Sequence, residues 1–189
     1  MNLNVEKILI IGLGMIGSSI ALASKSKGIK VYGFDKSNNS IKEALEKNII
    51  DSKVESILDI NSKDFVKKVD LIIVSVPPKQ TLDVLNDLKD IWNTDVTITD
   101  TSSVKNHIKL NGASNIVLSH PIAGSDQSGI SAANGDLFKN KKNVLCDPFN
   151  SKKGHFEKVD NFWKNALQMR TSSMSVSEHD LIFAMTSHL

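Results

Sequence analysis

The 189-residue chain contains one cysteine, one tyrosine, two tryptophans and one arginine, Arg170. A lone thiol, Cys146, excludes an internal disulfide and fits a reducing, cytoplasmic setting. It stands in the apolar run Val144-Leu-Cys146, which predicts a buried small hydrophobe and not a nucleophile. Aromatic residues make up 5% of the chain, too few for the stacking platforms that single-stranded nucleic acid needs. Charge of one sign is also lacking, since 23 basic residues against 21 acidic ones leave only +2. The densest basic stretch (Lys139, Lys141, Lys142, Lys152, Lys153) reads as a solvated loop face. No apolar run approaches the roughly 20 residues that cross a bilayer, and the first residues lack a signal-peptide pattern. No nucleic-acid or membrane partner is expected. The five histidines show no pair at close helical spacing and there is no second cysteine, so metal catalysis finds little support. A Gly-x-Ser-x-Gly elbow is absent too, which leaves a hydrolase reading thin.

What is present is alternation. Residues 7–11 form a β-branched and apolar run that ends at glycine, as in a strand buried on both faces. Residues 15–27 follow with a small-residue helical face closed by Gly28, and residues 30–34 return as a strand ending at Asp35. That is one βαβ unit. The pattern continues with a helix over 41–47, a strand near 54–58, and a strand over 71–76 stopped by Pro77-Pro78. Beyond it the expected elements are a helix over 81–91, a strand over 96–99, a helix over 104–110 and a strand over 116–119. A loop-like stretch, 120–143, leads to a strand over 143–146, a helix over 159–167 and a short strand near 169–172. Ser175-Val-Ser-Glu178 fits a capping box opening a helix that runs to Leu189. The class is α/β: a doubly wound, mostly parallel sheet of the Rossmann type, followed by the start of a helical domain. The expected division is 1–174 for dinucleotide binding and 175–189 for the first helix of that second domain.

Two segments carry the chemistry. Gly12-Leu-Gly-Met-Ile-Gly17 matches G-x-G-x-x-G, with a strand before it, a helix after it and an acid at the end of the next strand. Its glycines allow a tight turn, close approach of a pyrophosphate to the backbone, and close helix–strand packing, while the helix N-terminus offers amide donors. Asp35 is placed to accept both adenosine ribose hydroxyls and to repel a 2′-phosphate, which favours NAD over NADP despite Lys36 and Ser37 beside it. A bare structural turn is the alternative for both features. His120 lies at the carboxyl edge of the sheet, where such folds bind ligands, and Pro121 restricts its backbone to extended forms. An imidazole there can take a proton while a hydride leaves. Ser102 and Ser103 occupy the same edge one strand earlier, as partners of that imidazole or of nicotinamide, or as a helix N-cap.

The chain resembles the prephenate and arogenate dehydrogenases of tyrosine biosynthesis. The likeness is carried by Gly12-Leu-Gly-Met-Ile-Gly-Ser-Ser19, Val74-Ser-Val-Pro77, Asp100-Thr-Ser-Ser-Val-Lys105 and Ser119-His-Pro-Ile-Ala-Gly-Ser-Asp126 with Ser128-Gly129. Leu137-Phe138, His179-Asp180 and Thr186-Ser-His-Leu189 complete it. The His-Pro-Ile-Ala-Gly stretch after Ser-Val-Lys is far more specific than the glycine motif. The resemblance implies NAD-dependent oxidative decarboxylation of prephenate to 4-hydroxyphenylpyruvate, with His120 hydrogen-bonding the ring hydroxyl. It implies that Ser103 orients His120, that Ser125 binds near the side-chain carboxylate, and that His188 lines the pocket. The implied cofactor residues are Gly12, Gly14, Met15, Ile16, Gly17, Asp35, Val76 and Pro77.

In that family the chain continues into a helical domain that dimerises and completes the pocket, and an arginine from that domain grips the ring carboxylate. This chain stops at Leu189, and Arg170 stands at no matching position. The expectation is therefore NAD binding with weak or absent turnover by these residues alone, and a homodimer at family length. The apolar crowd Leu181, Ile182, Phe183, Ala184 and Met185 predicts self-association or fraying. Three other readings stand beside the leading one: an arogenate dehydrogenase, another hydroxyacid dehydrogenase, and a non-catalytic module that senses NAD(H).

Overall fold

The computed structural model describes residues 5–124, 127–152 and 154–186. Eight strands form one sheet in the order β3-β2-β1-β4-β5-β6-β7-β8. The elements run β1 (Lys7–Ile11), α1 (Met15–Lys25), β2 (Lys30–Phe34), α2 (Asn38–Glu46), β3 (Ser52–Lys53), the helical turns α3 (Ile57–Ile60) and α4 (Lys63–Val66), and β4 (Leu71–Val74). They continue with α5 (Pro78–Asp87), β5 (Thr97–Asp100), β6 (Ile116–Ile122), β7 (Lys142–Cys146), α6 (His155–Asn161), β8 (Arg170–Ser173) and α7 (Val176–Thr186). The first six strands are mutually parallel, whereas β7 runs antiparallel to β6 and parallel to β8. The doubly wound expectation holds.

β4 is apolar throughout, and β1 is apolar after Lys7, because both faces are covered. Ile8 and Ile10 of β1 join one core with Ile20 and Ala21 of α1 and Val159 of α6. Leu9 and Ile11 join a second core on the opposite face with Val84 and Leu85 of α5. The strand order reverses between β1 and β4, and the resulting crevice lies at their carboxyl ends.

Several expectations need correcting. The strand near 54–58 is a two-residue β3 placed earlier, because Ser56 caps α3 through a reciprocal pair with Asp59 and turns the chain out of the sheet. Residues 104–110 form turns, not a helix. Their amides have tertiary partners instead: the Lys105 and Asn106 backbone N–H groups donate to Asp180, while the Lys105 side chain is drawn inward to Asp100. His120 lies in a strand and not in a loop, because β7 pairs with β6 as far as Ile122↔Lys142. β5 pairs with β6 only at Ile116 and Val117, so Pro121 sits where the strand is paired on one side, a position that tolerates proline. The helix expected over 159–167 begins earlier, at His155, and ends in a π-turn over Phe162–Ala166 that buries both Phe162 and Trp163.

The capping box at Ser175 is present: Glu178 N–H donates to Ser175 Oγ at 3.2 Å and Ser175 N–H donates to Glu178 Oε2 at 2.9 Å. The helix it opens, α7, leaves Leu181 65% and Met185 67% exposed, while Phe183 packs against the second core.

Candidate active site

The glycine turn sorts its three glycines by what surrounds them. Gly12 turns the chain at φ +97°, and a Cβ there would lie 2.4 Å from the Ser75 carbonyl oxygen. A Cβ on Gly17 would lie 2.0 Å from the Gly12 carbonyl oxygen. Both are required by packing alone. Gly14 has no atom within 4 Å of where its Cβ would stand, so the fold itself does not demand a glycine there. A backbone kept bare on its open side suits the close approach of a pyrophosphate at the start of α1.

Asp35 ends β2 beside this turn. One carboxylate oxygen accepts from Leu13 N–H at 2.7 Å and the other from Ser37 N–H at 2.8 Å. These bonds fix the carboxylate at the rim of a hollow of about 290 Å³ that is also lined by Gly12, Gly14, Val76 and Pro77. A second hollow, of about 440 Å³, is lined by Gly14, Met15, Ile16, Ser103 and His120. The two share Gly14, Ser75, Val76 and Pro77, so they meet at the glycine turn. The bare Gly14 at the start of α1 and the hollows on either side of it fit a dinucleotide laid across the turn.

His120 is the best-supported side chain of the second hollow. Its Nδ1 lies 2.9 Å from Nε2 of His179 on α7, and His179 Nδ1 lies 2.7 Å from Asp180 Oδ1. The Phe183 ring sits 4.7 Å from the His120 ring and 4.6 Å from that of His179, centroid to centroid. Burial first, then the charge on Lys105 and the neighbouring His179, push the His120 pKa down to about 3, against a smaller opposing pull from Asp180. The imidazole is therefore neutral at physiological pH. Burial would raise the Asp180 carboxyl, but hydrogen bonds from His179 and the Asn106 and Lys105 amides outweigh it and hold the group below its ordinary value.

Behind the strand lies a fully buried ion pair. Lys105 Nζ lies 2.8 and 2.6 Å from the two Asp100 oxygens and donates to the Ser119 carbonyl at 2.6 Å. Burial lowers the lysine's pKa, opposed by the attraction of Asp100. Asp100 also accepts from the Ser119 and Ser102 amides, which ties β5, β6 and the following turn together. Ser119 Oγ is held in turn by Thr99 and by Trp163 Nε1. This support has no signature in composition or periodicity: Lys105 and Asp100 stood only inside a motif, and nothing in sequence distinguishes a buried lysine from a solvated one.

Ser103 is exposed on the wall of the His120 hollow, while His120 Nδ1 is hydrogen-bonded to His179. Ser125 and His188 lie outside the described residues. Cys146 is buried, and burial pushes its thiol up to about 11, as a small core residue would be. No group of three or more metal-ligating side chains occurs among the described residues, and none of their helices is long and apolar enough to cross a membrane.

The family model described as the prephenate dehydrogenase nucleotide-binding domain matches residues 20–168. The chain is 32% identical to a prephenate dehydrogenase of Bacillus subtilis, a match covering all of this chain and 52% of that protein. It is 32% identical to a cyclohexadienyl dehydrogenase of Zymomonas mobilis, over 97% of this chain and 63% of that protein. Among solved structures it is similar to prephenate dehydrogenase from Aquifex aeolicus in complex with hydroxyphenyl propionate and NAD+, with 30% identity and a TM-score of 0.88. That match covers all of this chain and 66% of the other. The chain thus spans about half to two thirds of the length of these relatives. Motif, fold and kinship agree, and the chain belongs to the prephenate dehydrogenase family.

Proposed function

We propose that this chain supplies the NAD site and the catalytic base of an enzyme that oxidatively decarboxylates prephenate to 4-hydroxyphenylpyruvate. The observation that carries the reading is the neutral His120 at the far end of a cleft whose near end holds Asp35, with the bare Gly14 between them. The relative solved with NAD+ and a hydroxyphenyl ligand supports both halves of it.

When bound, NAD supplies the acceptor for the hydride leaving the hydroxyl-bearing ring carbon. His120 takes the hydroxyl proton on its free nitrogen. A weak base suffices, because that hydroxyl becomes strongly acidic as the hydride departs, and such assistance is typically worth about 10²–10⁴-fold. The electron pair released with carbon dioxide closes the aromatic ring and returns to the oxygen, which recovers its proton. Gly12, Gly17 and the start of α1 shape the pyrophosphate site, while Met15, Ile16, Val76 and Pro77 line the nicotinamide end.

The substrate class extends to arogenate, the aminated analogue, and the relative named cyclohexadienyl dehydrogenase supports that breadth. Residues 1–174 form the dinucleotide-binding unit in this reading, and α7 opens the unit that completes the substrate site. A homodimer at family length follows from the same reading, with Leu181, Ile182 and Met185 available for burial. Cytoplasmic placement fits a single, buried, free thiol.

Calorimetric titration with NAD and NADP, with and without prephenate, is the test. Saturable NAD binding that NADP does not match is expected. In the family-length enzyme, His120→Asn is expected to abolish NADH formation and leave NAD affinity unchanged. Undiminished turnover by that variant would overturn the assignment.

A further inference from the structure

We infer that His179 and Asp180 are positioning residues that lock His120 into the tautomer protonated on Nδ1, so that Nε2 meets the cleft as a bare acceptor. The role rests on the reading of His120 as the base, although the tautomer is a property of the chain with or without substrate.

The reasoning runs inward from Asp180. Its carboxylate accepts from the Lys105 and Asn106 backbone amides, at 3.0 and 2.8 Å, and lies 2.7 Å from His179 Nδ1. Amides cannot exchange roles, and the group's pKa is held below its ordinary value, so Asp180 is ionised and only accepts. His179 therefore donates through Nδ1. A neutral imidazole carries a single N–H, so the Nε2 of this side chain, which is 0% exposed, keeps its lone pair. That lone pair faces His120 Nδ1 at 2.9 Å. Two lone pairs at such a distance repel, so the proton between the rings belongs to His120 Nδ1. One nitrogen then remains to His120, and it is unprotonated at neutral pH.

An unconstrained neutral imidazole in water favours the opposite form, with its proton on Nε2. In that form His120 would present a donor to the substrate hydroxyl and could not take its proton. The chain Asp180–His179–His120 removes that population and fixes the ring's rotation, while Phe183 packs within 5 Å of both rings. When Nε2 takes the substrate proton, the imidazolium keeps its Nδ1–H bond to His179. The ionised Asp180 then stabilises the positive charge through His179, with no proton moving along the chain.

The test is a long-range ¹H–¹⁵N correlation spectrum of the ¹⁵N-histidine-labelled chain at pH 7, with His120 assigned by its loss in His120→Asn. The expected spectrum has Nδ1 in the protonated range and Nε2 in the unprotonated range. His179→Phe is expected to move His120 to the Nε2–H form or a mixture. His179→Gln is expected to keep the Nδ1–H form, because its carboxamide can accept from His120 and donate to Asp180. NAD affinity is unchanged in both variants. In the family-length enzyme, kcat falls about 10²–10⁴-fold in His179→Phe with KM little moved, and His179→Gln restores most of it.

A wild-type His120 protonated on Nε2 overturns the inference, as does an Nδ1–H form that persists in His179→Phe. Should that variant fail to fold, the wild-type spectrum still decides, and Asp180→Ala perturbs the chain from its other end with the same expected mixing. The functional reading fails separately. If NAD does not bind while the tautomer is as stated, the ring geometry stands and the base has lost its reaction.

Discussion

Lys105 Nζ lies 2.6 Å from Asp100 Oδ2, and neither side chain reaches solvent. A buried pair is weak evidence for net stability, because desolvation offsets much of the attraction, but breaking one side leaves an unpaired charge in the core. Here the pair also holds the Ser119 carbonyl and amide, one residue before His120. Lys105→Met is expected to destabilise the chain by about 3–5 kcal/mol, read as a drop in the urea midpoint. Adding Asp100→Asn should recover much of the loss. A deficit below about 1 kcal/mol in the single variant would show that β5 and β6 hold their register without the pair.

The glycine turn separates folding from binding. Gly17→Ala and Gly12→Ala meet backbone atoms at 2.0 and 2.4 Å and should lower the thermal midpoint sharply. Gly14→Ala meets nothing and should leave that midpoint nearly unchanged while weakening NAD roughly tenfold or more, about 1.4 kcal/mol. Calorimetry and thermal unfolding on the three variants check both halves. Equal loss of stability in all three would refute the division.

If Asp35 holds the ribose as proposed, Asp35→Ser should weaken NAD and strengthen NADP, because it removes a carboxylate that would accept from the ribose and repel a 2′-phosphate, with Lys36 left beside the site. Loss of its bond to Leu13 N–H also loosens the turn, so the gain for NADP should be smaller than the loss for NAD. The ratio of the two dissociation constants is the quantity to measure. A ratio unmoved by the substitution would place the ribose elsewhere.

Stability should fall with acid before the ordinary carboxylates titrate. His120 has a folded-state pKa of about 3 against 6.5 unfolded, so between those values the unfolded chain binds more protons than the native one. Its contribution is complete above about pH 6.5 and is lost as the pH falls toward 3. His155, lowered by burial and by the charges on Lys158 and Lys152, acts in the same direction. Urea midpoints at pH 7 and pH 5 should therefore differ, and His120→Asn should shrink the difference. A midpoint flat from pH 7 to pH 5 would contradict a neutral, buried His120.

Much of this was legible in the residues. Residues 8–11 and 71–74 predict buried parallel strands because every position is apolar, and both lie in strands, the second ending at Val74 and not at the expected Val76. Ser175 and Glu178 form their capping box, a local device that needs no tertiary help. The expected helix over 104–110 failed because its local pattern competed with partners from α7 and β5 that are distant in sequence. The expected loop at His120 failed because the pairing of β7 with β6 is a long-range event. The sequence pairs His179 with Asp180 but not with His120, since that contact exists only when α7 lies against β6.

Local chemistry therefore determined the βαβ alternation, the glycine turn, Asp35 at the end of β2 and His120 at the carboxyl edge of the sheet, because each depends on neighbours close along the chain. Only the tertiary structure determined which of those glycines is dispensable to the fold, which buried cation faces Asp100, and what holds the His120 ring. Burial and hydrogen-bond partnership are properties of groups brought together from far apart in sequence, and no run of neighbouring residues encodes them.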